Sequence, residues 1–352
     1  NGLEALTMLL KNKDYDIILS DINMPEMDGL TLLTKINEMQ NPALKCIMVS
    51  AYGDMGNIRQ AMNNGAFDFA TKPIDLDDLS VTIEKAIEQI KYIRAMEKEH
   101  VQLESLKGDL AVAHEIQQAI LPRIFPPFPE LADKVEIAAT MTAAKDVGGD
   151  FYDFFKIDDE RLGFIIADVS GKGIPAAIFM AVSRTLIRAT ALHDVSPAEC
   201  MTYSNKLLAK ESVNCMFVTV FYGILNTTTG EFTYCNAGHN PPYIIKENGE
   251  IKAFPMPTQP IVGIVDDYDF EEEKMQLNEG DALVLFTDGV TEAMNSIFEE
   301  FGESRFEETL RKVSSADCQS IIDATKEDLA AFVGEAEQSD DITMLALRRK
   351  RG

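Results

Sequence analysis

The 352-residue chain contains no tryptophan, only four histidines and few basic residues. Its 32 lysines and arginines stand against 58 aspartates and glutamates, a formal net charge of −26. This deficit disfavours nucleic acid and anionic membrane as main partners, because both require phosphate-neutralising lysine and arginine. We interpret the basic run at residues 348–351 as a solvated tail. No apolar run approaches the ~18 residues of a membrane span.

The five cysteines contain no Cys-x-x-Cys pair and are odd in number. We therefore interpret them as reduced, mostly buried thiols of a cytoplasmic protein rather than a disulfide framework. The histidines show no metal-ligand spacing, and His239 is interpreted as a loop-packing residue. No Cys-x5-Arg or Ser-His-Asp arrangement offers a protein nucleophile.

What the chain does contain is acidic residues at the ends of apolar, strand-like runs. Four clusters share this placement: GGDFYD (148–153), ADVSGKG (167–173), FTDGV (286–290) and SDDIT (339–343). Carboxylates from four separate places meet only if a sheet gathers them, and they then repel one another unless hard cations lie between them. The pattern predicts a carboxylate-lined site for two Mg²⁺ or Mn²⁺ ions.

Three regions follow one another along the chain. Residues 1–78 alternate helical patterns (2–11, 30–38, 57–64) with strand patterns (16–20, 45–50, 67–70), as in a parallel α/β unit. Residues 79–120 lack proline and repeat apolar residues at three- and four-residue steps, which predicts one long helix. This helix is either an amphipathic helix packed on one domain or a coiled-coil dimer. Prolines end it and open an α+β region at 121–352: Pro122, Pro126, Pro127 and Pro129.

Residues 1–78 carry an ordered set of polar residues at the predicted strand ends. Asp21 begins DINMPEMDG (21–29), Ser50 ends the next strand, and Phe69 precedes Lys72-Pro73. This set resembles a response-regulator receiver domain and implies a partial flavodoxin-like fold. The resemblance implies that Asp21 is the phosphoacceptor, that Ser50 and Lys72 contact the phosphoryl group, and that Phe69 is the aromatic switch. It also implies a sensor histidine kinase as partner.

The receiver resemblance is incomplete. Receivers begin with a strand bearing an acidic pair that binds Mg²⁺, then a helix and a second strand, whereas this sequence starts after all three. Asp28 is no substitute for that pair, because it lies in the following turn. We expect the chain to be a piece of a longer protein, and its receiver to bind Mg²⁺ and accept phosphate poorly.

Five motifs occur in order across about residues 135–348: DVGGDFYDFF, ADVSGKGIPAA, NAGHNPP, LFTDGVTEA and SDDIT. Together they resemble the bacterial metal-dependent serine/threonine phosphatases of the SpoIIE-like (PPM) kind. The resemblance implies a β-sandwich with flanking helices, joined to the receiver by the long helix. It implies a ligand set for two ions, with Asp150 bridging both and the Val169 carbonyl contributing: Asp150, Asp168, Val169, Asp288 and Asp340 or Asp341.

The implied reaction is hydrolysis of a phosphoserine or phosphothreonine protein by metal-activated water, as the output of a two-component system. By resemblance the substrate is a phosphorylated anti-sigma-factor antagonist. Lys145 is either a contact of the substrate phosphate or a solvated loop lysine. The alternative function is a catalytically silent scaffold for partner-switching proteins. A diguanylate cyclase is disfavoured, because phenylalanine rather than glutamate follows Asp150.

Overall fold

The computed structural model describes residues 1–351 apart from 13, 52, 124, 126, 213 and 214. Pro126, one of the prolines predicted to end the long helix, therefore lies outside the described residues. The chain divides into two compact units, Asn1–Gly108 and Asp109–Gly352.

The first unit contains a parallel sheet of three strands, ordered Ile17–Asp21 (β1), Lys45–Ala51 (β2) and Asp68–Lys72 (β3). Helices alternate with these strands along the chain: Gly2–Lys11 (α1), Gly29–Glu38 (α2) and Met55–Asn63 (α3). The central strand β2 is buried along most of its length, as is usual for a strand with neighbours on both sides. Every predicted boundary of these six elements lies within two residues of the observed one.

The long helix predicted between the two domains spans Leu76–Ile120 (α4) and ends just before Pro122. Within the first unit Ala86 and Ile90 are buried, and Arg94 forms an ion pair with Asp16. These residues follow one another at four-residue steps, so one face of the helix packs on that unit. Further along the helix, three of the apolar residues that recur at three- and four-residue steps are exposed: Met96, Leu103 and Leu106. We call these three side chains the exposed seam of α4.

The second unit is a sandwich of two five-stranded antiparallel sheets. One sheet has the order β10-β9-β12-β13-β4, formed by Ile251–Ala253 (β10), Tyr243–Ile245 (β9), Ala282–Phe286 (β12), Ile342–Arg349 (β13) and Val135–Thr142 (β4). The other has the order β11-β8-β7-β6-β5, formed by Glu273–Gln276 (β11), Glu231–Ala237 (β8), Val218–Asn226 (β7), Arg161–Val169 (β6) and Phe151–Lys156 (β5).

Helices cover both outer faces of the sandwich. They are Ile174–Ala191 (α5) and Pro197–Glu211 (α6) on one side, and Gly302–Lys312 (α8) and Cys318–Val333 (α9) on the other; the short helix Asp288–Thr291 (α7) follows β12. Strand β12 is buried throughout because Leu283 and Leu285 face the core between the sheets, whereas Val284 and Phe286 pack under α8 and α9. This architecture confirms the predicted fold class.

Helix α5 is, among the described residues, the one helix long and apolar enough by composition to cross a membrane. That length is reached only by including Arg184 and Arg188, which both pair with the fully buried Asp153 on β5. A helix docked in this way belongs to the wall of the sandwich. The cysteines are all free, and Cys215 alone among them is exposed.

Candidate functional site

The predicted receiver residues lie at one edge of the parallel sheet. Asp21 ends β1 and Lys72 ends β3, the two strands that flank β2. The Lys72 ammonium donates a hydrogen bond to the Asp21 carboxylate. This hydrogen bond lowers the pKa of Asp21. Ser50 is buried near the end of β2 and donates to Asp54 Oδ2 at 3.4 Å rather than to Asp21, while the Phe69 ring is partly exposed. Asp28 caps α2 by accepting from the Thr31 amide.

In the second unit the four acidic clusters converge where strands of the two sheets end. Asp150 immediately precedes β5 and lies opposite Asp168 on β6, because Phe151 pairs with Ala167 in the register. Asp288 begins α7 directly after β12, and Asp340 and Asp341 immediately precede β13, the partner of β12. We call these five side chains the carboxylate cluster. Sequence reasoning therefore identified the places that the fold brings together.

The pKa shifts show how closely the members of the cluster interact. Burial, followed by the charges of Asp168 and Asp341, raises the pKa of Asp150 well above its ordinary value. Burial and then the charge of Asp288 raise the pKa of Asp168 to about 7. Burial and the charge of Asp340 raise that of Asp288. Each carboxylate thus makes ionisation of its neighbours more costly.

Asp341 differs from the rest of the cluster because backbone amides occupy both of its carboxylate oxygens. Its Oδ1 accepts from the Ala144 amide at 2.8 Å, and its Oδ2 accepts from the Gly149 amide at 2.6 Å and from Asp150 N at 3.4 Å. A side chain at Gly148 would collide with this carboxylate, which explains the glycine. Asp341 therefore fixes the loop that carries Asp150.

A buried hydroxyl contacts Asp150 from the opposite sheet. Thr287, which lies between β12 and α7, donates to Asp150 Oδ2 at 2.7 Å and accepts from the Thr343 amide at 3.0 Å. Thr287 lies within the FTDGV motif, but the motif alone indicates no role for its hydroxyl. Its presence between a strand end and the Asp288-Gly289 turn was the available signal.

Two lysines differ in their relation to the cluster. Lys145, for which the sequence left open a phosphate contact or a solvated loop position, is exposed, and no ion pair joins it to any described residue. Lys172, in the turn after β6, places its ammonium 2.8 Å from Asp340 Oδ2 and also donates to the Ser339 carbonyl. The sequence analysis did not single out Lys172, although it lies inside the ADVSGKG motif.

Two further polar residues, Asp153 and His239, are buried and have partners outside the carboxylate cluster. Asp153, three residues after Asp150, is fully buried and forms ion pairs with Arg184 and Arg188 at 3.0 and 2.6 Å. His239 is buried, and its Nδ1 lies 2.8 Å from the Thr219 hydroxyl. Burial lowers the pKa of His239 to about 3. Its ring packs inside the NAGHNPP loop as a neutral imidazole.

The carboxy-terminal end of α4 lies in the second unit and is hydrogen-bonded to the loop that leads to Asp150. The Gln117 side chain is buried, donating to the Gly148 carbonyl at 2.6 Å and accepting from the Gly148 amide at 3.0 Å. One helical turn earlier, His114 Nδ1 lies 2.7 Å from the Asp146 carbonyl. The sequence gave no signal for these contacts beyond the helical pattern.

The donor chemistry of the cluster fits hard divalent cations, since every acidic group offers oxygen alone. Asp150 is 2% exposed and has a hydroxyl rather than a cation as its hydrogen-bond partner. Burying an ionised carboxylate costs free energy unless a nearby cation compensates its charge. The described residues nevertheless hold no group of three acidic, histidine or cysteine side chains already arranged around one ion position.

Comparison with known proteins agrees with both resemblances. The family described as Stage II sporulation protein E (SpoIIE) matches residues 158–350, and the response regulator receiver domain matches residues 1–84. Protein IcfG of Synechocystis sp. (strain ATCC 27184 / PCC 6803 / Kazusa) is 28% identical over 380 residues, covering 99% of this chain and 59% of that protein. The chain thus spans 59% of the length of this relative.

Two further likenesses each cover 70% of this chain. Phosphoserine phosphatase RsbU of Bacillus subtilis (strain 168) is 29% identical over 249 residues, which is 70% of this chain and 72% of RsbU. The solved SiaA-PP2C domain of Pseudomonas aeruginosa is 22% identical with a TM-score of 0.61, covering 70% of this chain and 98% of that domain. The structural likeness establishes the PP2C fold.

Proposed function

The chain belongs to the SpoIIE family, and from this membership and the carboxylate cluster we propose a metal-dependent protein serine/threonine phosphatase. The observation that carries the proposal is the convergence of Asp150, Asp168, Asp288 and Asp340 from two sheets, with pKa values raised in the first three. Carboxylates held together at such cost indicate a function rather than a structural need. Two Mn²⁺ or Mg²⁺ ions satisfy this charge.

The residues that would hold the ions are Asp150, Asp168, Asp288, Asp340 and, through its carbonyl, Val169. Of the SDDIT pair we assign the ligand role to Asp340. Asp341 accepts from three backbone amides that fix the loop of Asp150. Asp340 accepts from one amide and otherwise pairs with the exposed Lys172. A pair of such ions supplies activated water and neutralises the charge that develops on a transferred phosphoryl group.

The protein side chains do the remaining work. Asp341 and Gln117 hold the loop that positions Asp150, and Lys172 offers a cation at the rim of the cluster to a substrate phosphate. Lys145 remains a second candidate for that contact.

The substrate is a phosphoserine or phosphothreonine protein, of the anti-sigma-factor-antagonist kind. The relative RsbU is named a phosphoserine phosphatase, which supports the serine specificity. The net charge of −26 disfavours nucleic acid or anionic membrane as a partner, and the expected location is the cytoplasm.

Control comes from the receiver, residues 1–78, through the helix 79–120. Asp21 takes a phosphoryl group from a sensor histidine kinase, Ser50 and Lys72 contact it, and Phe69 responds. The grip of Gln117 and His114 on residues 146–148 gives the helix a route to Asp150. The exposed seam of α4 is a surface for a homodimer. A version extended by an amino-terminal receiver segment should change its turnover when acetyl phosphate is added; unchanged turnover would contradict this control.

The direct test is hydrolysis by the purified chain with Mn²⁺ or Mg²⁺. A phosphoserine peptide and p-nitrophenyl phosphate should both be hydrolysed, a matched phosphotyrosine peptide poorly, and EDTA should abolish turnover. Turnover that survives EDTA would contradict the two-metal reaction. Absence of turnover with either ion would favour the silent scaffold instead.

A further inference from the structure

Thr287 occupies the point at which β12 leaves its ladder and becomes α7. The register pairs Phe286 with Met344, so Thr287 and Thr343 are the next positions along the two strands. The Thr287 amide still donates to the Thr343 carbonyl at 3.0 Å, as the ladder requires. The Thr287 carbonyl, however, accepts from the Val290 amide in the first turn of α7.

The hydroxyl of Thr287 takes the place of that lost carbonyl. Its oxygen accepts the Thr343 amide hydrogen bond at 3.0 Å. A hydroxyl has one proton and two lone pairs, so an oxygen that accepts here still has its own proton to donate. The strand end therefore fixes the orientation of the hydroxyl.

The proton has one good acceptor. Asp150 Oδ2 lies 2.7 Å from the hydroxyl oxygen, whereas the carbonyls of Asp341 and Thr343 lie 3.5 Å away. A hydrogen bond to a carboxylate is shorter and stronger than one to a neutral carbonyl. Both threonines are fully buried, so bulk water does not compete for the proton.

We infer that Thr287 is the positioning residue of the metal centre: its hydroxyl, oriented by the Thr343 amide, fixes one oxygen of Asp150 and so sets the rotation of this carboxylate toward divalent ions. The inference rests on the proposed function, because it assigns Asp150 to the ions. Asp341 holds the backbone on which Asp150 stands, whereas Thr287 holds the carboxylate itself.

The test is the affinity for Mn²⁺, measured by calorimetric titration of the full chain. Thr287→Val keeps the shape and removes the hydroxyl, and should weaken Mn²⁺ binding roughly 10- to 100-fold, the usual effect of losing a group that orients a metal ligand. Thr287→Ser keeps the hydroxyl and should bind Mn²⁺ to within about threefold of wild type, a smaller loss than the roughly 10- to 100-fold expected for the valine variant. Thr325→Val is the matched control, since Thr325 is equally buried but bonds the Ile321 carbonyl within α9.

The outcomes separate the inference from the proposed function. Wild-type protein that binds no Mn²⁺ would overturn both, whereas Thr287→Val protein that binds like wild type would overturn the inference alone. Equal weakening by Thr287→Ser and Thr287→Val would also overturn it, since only packing would then matter. If the valine variant fails to fold, Thr287→Cys, with its weaker donor, should bind Mn²⁺ less tightly than Thr287→Ser; equal affinities would refute the inference.

Discussion

The two acidic sites of this chain shift the pKa of aspartate in opposite directions. At the edge of the receiver sheet Asp21 stands beside Lys72, whose hydrogen bond lowers its pKa. In the carboxylate cluster, burial and neighbouring carboxylates raise the pKa of Asp150 and Asp168. One site carries its own counter-ion, and the other gathers more negative charge than Lys172 offsets. On the proposed function, the divalent cations bind at the second of these sites.

The two architectures explain this difference. In the parallel sheet the ends of β1 and β3 flank β2, and each supplies one charged residue to the same edge. In the sandwich, two antiparallel pairs from different sheets meet end to end, and each contributes acidic residues. Acidic side chains therefore accumulate where these two strand pairs meet.

The largest expected effect is a loss of kcat when Asp168 is replaced. Asp168→Asn removes a carboxylate that lies beside Asp150, and should lower kcat with p-nitrophenyl phosphate by orders of magnitude while circular dichroism stays native. Asp21→Asn, made at the balanced site, serves as control and should leave this basal rate unchanged. A rate for Asp168→Asn within a few-fold of wild type would disprove its assignment as a ligand.

A second comparison uses three buried aspartates of the second unit, in metal-free protein. Asp153→Asn strands Arg184 and Arg188 and should lower the free energy of unfolding by about 3–5 kcal/mol. Asp341→Asn replaces one accepting oxygen with an NH₂ group that cannot accept from a backbone N–H. It should lower the free energy of unfolding by about 1–3 kcal/mol. Asp150→Asn removes an uncompensated buried charge and should cost nothing or stabilise. Denaturant unfolding in EDTA measures all three, and a large loss for Asp150→Asn would contradict the account.

A smaller effect distinguishes the two lysines. Lys172→Met should lower kcat/KM for a phosphoserine peptide roughly tenfold, because a hydrogen bond to a charged group contributes about 1.5–3 kcal/mol. Lys145→Met should change it by less than about threefold, as for an exposed surface charge. Steady-state kinetics with both variants decides, and the opposite ranking would restore Lys145 as the phosphate contact.

The smallest effect concerns the pH dependence of stability. Burial lowers the pKa of His239 to about 3 from an ordinary value of 6.5. The unfolded chain therefore binds a proton that the folded chain does not, and this contribution to stability is lost as pH falls from about 6.5 toward 3. His239→Asn should flatten the decline of Tm between pH 7 and pH 5. An unchanged slope would show that His239 is not buried as a neutral ring.

The acidic residues at the strand ends could be predicted from the sequence, but the hydrogen bonds and ion pairs between them could not. Asp150, Asp168, Asp288 and Asp340 were identifiable because acidic residues flank apolar runs, and the fold gathers those ends. The role of Asp341 was not identifiable, because its partners Ala144 and Gly149 lie 197 and 192 residues away. Thr287, 137 residues from Asp150, was hidden for the same reason. Asp153, the second aspartate of GGDFYD, is instead paired with two arginines of α5.

The measurement that tests the central claim most directly is the number of Mn²⁺ ions bound per chain, by calorimetric titration of metal-free protein at neutral pH. The account predicts two ions for the wild type and a loss of binding for Asp168→Asn, with Asp21→Asn unchanged. Wild-type protein that binds no Mn²⁺, or an Asp168→Asn variant that binds as many ions as tightly, would contradict it.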